Sequence, residues 1–148
     1  MARTERSRGW REAALAALLL LSFFMPWLYS MGAPIRAHEI RERLEGPHKL
    51  FSAFTAGSRV SRDYELSVFL YAVPVLAALV LALVILGRYR PWMGFLAGAA
   101  ALAAFVFLRG EVRNFPFHRL ASGSYVALAA GAALALSPLL RIGSRFRA

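Results

Sequence analysis

The sequence predicts an all-α integral membrane protein, a four-transmembrane-helix antiparallel bundle with a short amphipathic helix in the first outer loop. Three observations predict it. Four apolar blocks of roughly membrane-spanning length divide the 148 residues. Hydrophobic residues make up 59% of the chain, above the roughly 45–50% of soluble domains. The arginines gather at the ends of the apolar blocks, as the positive-inside rule requires. One domain, 1–148, fits this length.

The first expected span is 13–29. A tail with four arginines precedes it, and it holds no charge. Trp27 and Tyr29 suit a membrane–water interface at its far end. A basic start before an apolar middle is also the pattern of a secretory signal peptide. Pro26-Trp27 and the three later spans favour an uncleaved anchor.

The outer loop, 30–64, is the longest polar stretch. Pro34 suits the first turn of a helix. Opposite charges four apart follow, Glu39 with Arg43 and Arg41 with Glu45, each pair adding about 0.2–0.5 kcal/mol. Ile40 and Leu44 share one face, with Ile35 nearby, and Gly46-Pro47 is expected to end the helix. Leu50, Phe51 and Phe54 form a second apolar patch. Ile35, Ile40, Leu44, Leu50, Phe51 and Phe54 are therefore the expected partner-binding residues.

The second span covers 65–86, with Asp63 and Glu65 at its start and Pro74 expected to kink it. Gly87 to Pro91 is a tight connection between antiparallel helices. The third span covers 92–108. Its Gly94 and Gly98 form a GxxxG pair that allows close helix approach. Phe115-Pro116-Phe117 lies in the next link. The fourth span covers 120–140 and carries a small-residue stripe, Gly123, Ala127, Gly131 and Ala135. These six small residues are the expected helix-packing set.

An even number of spans puts both termini on one side. The tail, the short turn and the carboxyl end hold nine Lys/Arg in about 25 residues, and the two longer links hold nine in about 50. The denser side is assigned to the cytoplasm of an inner or plasma membrane. The Ala/Leu/Arg-rich composition suggests, by association, a GC-rich bacterial genome.

Several chemistries are disfavoured. The chain has no cysteine, so thiol redox chemistry and thiolate metal sites have no ligands. No ionisable residue falls inside a span as drawn, whereas transport usually places counter-charges there. No histidine lies in a span to ligate haem. The set His38, Glu39 and Glu42 has part of a zinc-motif spacing, but the second histidine is missing and Arg41 opposes a cation. Neither a cofactor nor a metal is expected. The net charge of +10 is explained by orientation and points to no nucleic acid, because basic and aromatic residues do not combine in a recognition pattern.

One long first outer loop with short other links resembles the plan of small tetraspan membrane proteins, the animal tight-junction tetraspans among them. Their loop carries a Trp-rich motif and a cysteine pair. This chain has neither, so no residue role carries over. The expected function is a non-catalytic accessory or assembly subunit of a larger membrane protein complex. Its partners would be the lipid bilayer and other integral membrane subunits. The alternatives are a small transporter or channel component and a membrane enzyme acting at the outer loops.

Overall fold

The computed structural model describes residues 2–52, 65–114 and 117–145. Helix α1, Ala2–Ser22, comes first, and its last turn tightens into i→i+3 bonds from Phe23, Phe24 and Met25. Strand β1, Pro26–Ser30, then runs antiparallel to β2, Ala33–Arg36. Helix α2, Ala37–Ser52, follows directly. A 3-10 segment, Ser67–Tyr71, leads into α3, Ala72–Ile85. Helix α4 is Pro91–Asn114, β3 is His118–Leu120 and α5 is Ser122–Arg145.

The chain is mostly helical. Ser67–Ile85 and Pro91–Asn114 are long and apolar enough to cross a membrane. Helices α1, α3, α4 and α5 pack as a ring, each against the next and α5 back against α1. The closest pairing is α4 with α5.

An all-α fold is corrected by a three-stranded sheet in the order β2-β1-β3. It lies where α1 ends and α5 begins. The apolar stretch 13–29 therefore divides, ending as helix at Ser22 and continuing as strand from Pro26. The reason lies in the residues. Pro26 gives up a main-chain donor, and Trp27, Leu28 and Tyr29 include strong strand formers. Met31 and Gly32 then take left-handed conformations, φ 51° and 83°, which suit a two-residue hairpin turn.

Helix α2 also differs from its expected outline. Ile35 belongs to β2, and the helix continues through Gly46-Pro47 to Ser52. Pro47 removes one donor from the helix without ending it. Pro74 falls in the first turn of α3, where the 3-10 segment gives way to α-helix and a missing donor matters least.

Half of the buried apolar residues among those described are alanines, including Ala16, Ala77, Ala97, Ala101 and Ala127. Several bulky residues of the same helices are exposed, Leu18 and Leu21 of α1, Val75 and Leu79 of α3, Phe95 and Val106 of α4 and Leu136 of α5, while Leu19, Val73, Val80, Leu108 and Leu134 are buried.

Candidate functional site

Trp27 holds the sheet to the bundle. It is fully buried, although its aromatic type suggested an interfacial position. A register irregularity between Pro26 and Leu28 turns both Trp27 and Leu28 inward. The indole Nε1–H donates to the carbonyl of Ser22, one of the last acceptors of α1. The Trp27 carbonyl accepts the Ala121 N–H at 2.9 Å. A methyl on Gly123 would meet the indole Cδ1 and the Pro26 carbonyl. One side chain thus joins the end of α1, strand β1 and the start of α5.

Phe23 stands beside Trp27 edge-on, ring centroids 6.4 Å apart, and also meets Tyr71 at 5.8 Å and His38 at 6.1 Å. The Tyr71 hydroxyl donates to the His38 carbonyl at 3.0 Å. This aromatic junction fixes the first turn of α2 against the 3-10 segment. Glu39 accepts the Arg36 N–H at 2.9 Å, the back-bond of a helix capping box. That bond holds the Glu39 carboxyl below the usual glutamate range. His38 Nε2 lies 4.0 Å from Glu39 Oε1. Among the described residues no group of three His, Asp or Glu could hold a metal ion.

The six residues expected to bind a partner are placed as follows. Ile35 and Ile40 are buried in the chain's own core. Leu44, Leu50 and Phe51 lie along α2, and Phe54 falls outside the described residues. The small residues are brought together in part. Gly98 faces the main chain of Gly131 and Ala135, and Gly131 faces Ala101. Ala127 is buried in the same core. Gly94 abuts the Tyr89 hydroxyl and lies within contact of the Leu134 carbonyl of α5, and Gly123 abuts Trp27 and the Pro26 carbonyl.

A different surface stands out. The cross-strand pairs Leu28–Ile35 and Leu28–Leu120 belong to the face turned towards the core. The alternate row, Pro34, Tyr29 and Arg119, is exposed. Met31, 81% exposed, and Phe117, 66% exposed, stand at its end, tied by a 3.2 Å bond from the Met31 N–H to the Phe117 carbonyl. Tyr29, Met31, Gly32, Phe117 and Arg119 line a shallow groove of about 410 Å³. The signal in the sequence was the strand-forming Trp27-Leu28-Tyr29 before Met31-Gly32. The β3 half had none, because its pairing partner is remote in sequence.

Two carboxylates are buried in helices, Glu12 in α1 and Glu111 in α4. Both interact with neighbouring groups. They sit just outside the spans 13–29 and 92–108. His118 of β3 is partly buried, and the loss of water around it pushes its pKa down from the ordinary histidine value.

No protein-family model matches this chain, and no curated protein or solved structure matches it.

Proposed function

We propose that this chain is a non-catalytic accessory or assembly subunit of a larger membrane protein complex. In this reading it has four spans, both termini in the cytoplasm, and the sheet on the outer side of an inner or plasma membrane. The observation that carries it is the distribution of side chains: alanines make up half of the buried apolar residues, while many leucines, valines and phenylalanines of the same helices are exposed. In water that arrangement would forgo much of the hydrophobic driving force. In lipid, where the tails are as apolar as leucine, helices associate by close approach of small residues. Trp10 and Trp92, both exposed, mark one interface level on α1 and α4, at the end away from the sheet.

The subunit role is supported by exposed apolar residues at the sheet that the chain's own core does not use. The test is purification in mild detergent followed by identification of co-purifying chains. A discrete stoichiometric membrane partner is the expected result. A lone monodisperse protein would replace this reading. The buried Glu12 and Glu111, at the ends of the apolar stretches of α1 and α4, favour a second one, a small transporter or channel component, whose ion path would pass these carboxylates. Ion flux in liposomes, lost in Glu12→Gln or Glu111→Gln, would establish it.

A further inference from the structure

We propose that the exposed row of the sheet docks an acidic, extended segment of a partner protein, which adds as a strand beside β3 and sets a carboxylate on Arg119. The proposal rests on the subunit reading and names the chemistry of the partner.

Three observations lead to it. The two sheet edges differ. The β2 edge carries Pro34, which has no N–H to offer an incoming strand. On the other side β3 pairs with β1 and with no second strand among the described residues. An extended chain can therefore add there through its main chain, taking specificity from alternate side chains. The second observation is charge. Arg119 is exposed, and no carboxylate pairs with it among the described residues. Arg109 and Arg113 near the end of α4 are exposed too, whereas Glu111 between them is buried. A guanidinium beside the Tyr29 and Phe117 rings suits a carboxylate on an apolar chain.

The third observation is Met31. It holds a left-handed conformation, φ 51°, in a turn that Asn or Gly would fill with less strain. Yet it is a large apolar residue, and it is 81% exposed. The turn alone does not call for methionine; a contact made by its side chain does. A second copy of this chain is a poor occupant, since symmetric pairing across β3 would bring two Arg119 side chains together. A lipid headgroup could meet Arg119 but would use neither the open edge nor the row of rings.

The test uses the full chain in nanodiscs of neutral lipid. Its probe is a fluorescent peptide of alternating glutamate and valine, read by anisotropy, beside its lysine–valine counterpart. Saturable binding of the acidic peptide alone is expected. Arg119→Glu should weaken it at least tenfold and admit the lysine peptide. Met31→Asn should also weaken it while leaving thermal stability equal or higher, so lost binding cannot be ascribed to unfolding. N-methylation of alternate peptide amides should abolish binding if the peptide joins the sheet edge. Equal binding of both peptides, binding unchanged in Arg119→Glu, or binding to vesicles of anionic lipid in place of the peptide would overturn the proposal. The two readings fail separately. A co-purifying partner retained by Arg119→Glu would sink this site and leave the subunit role standing. Peptide binding without any co-purifying chain would do the reverse.

Discussion

The contact between α4 and α5 can be tested by adding one methyl group at two glycines of the same helix. A Cβ on Gly98 would lie 2.7 Å from the Ala135 nitrogen and 2.8 Å from the Ala135 Cβ, where ordinary contact begins at 3.4 Å. The shortfall to these two atoms is about 0.6–0.7 Å by difference, and the Gly131 carbonyl is nearer still. Main-chain atoms are involved, so no rotamer change relieves it, and the helices must part. Overpacking of this kind costs about 1–3 kcal/mol. Replacing glycine by alanine inside a helix also returns up to about 1 kcal/mol of propensity. Gly110, in the same helix, has open space where its Cβ would be, so Gly110→Ala should show the propensity gain alone. The difference between the variants cancels that gain and isolates the contact, at about 1–3 kcal/mol. Reversible unfolding in mixed micelles would measure it. Gly98→Ala as stable as Gly110→Ala, or more so, would refute the close approach.

Other outcomes follow from the sheet and its anchors. Trp27→Ala should cost about 3–5 kcal/mol, and Trp27→Phe, which removes the indole donor and leaves the Ser22 carbonyl the Met25 N–H alone, about 0.5–1.5 kcal/mol; both are read from thermal unfolding. Because burial lowers the His118 pKa, its contribution to stability should be complete above the ordinary value of 6.5 and lost as pH falls through the lowered one; His118→Gln should flatten that part of the stability–pH curve. Glu39→Ala should fray the start of α2, visible as faster amide exchange at Arg36, with the wild-type carboxyl titrating below a free glutamate. Since the chain has no cysteine, single cysteines at Ala2, Ser58 and Ala148 can report sidedness. Impermeant reagent should reach only the one at Ser58.

The helical character and the two long apolar helices were legible because each is written in a continuous apolar block. The sheet was not. Its strands are short, and β1 carries the same apolar residues that would end a span, so composition could not separate them. Trp27 illustrates the limit. An aromatic residue near the end of an apolar block suits either an interface or a core, and only the distant Gly123 decides for the core. The burial of Ile35 and Ile40 in the core was hidden for a related reason. The spacing of Ile35 and Ile40 shows that they share a buried side but not what buries them. Leu28 is the cross-strand partner of Ile35, and Phe23 and Leu70, from two further segments, belong to the same buried cluster. The exposed residues at the sheet, Tyr29, Met31, Phe117 and Arg119, are invisible as a group until β1 and β3 are paired.

That pairing also governs the order in which the fold can be completed. Leu28 and Leu120 are partners across β1 and β3, yet most of the chain separates them. During synthesis β1 can pair with β2 at once, because only Met31 and Gly32 intervene. Its other edge has no mate until α3 and α4 have been made. Gly123, against which Trp27 rests, arrives three residues after that mate. A nascent chain therefore carries an unfinished strand edge and an unseated tryptophan through most of its elongation, a state prone to wrong partners. Closure of the sheet by the last segment ends that interval, so a chain cut short before Leu120 would be left with the hairpin open on the side where the finished protein is joined.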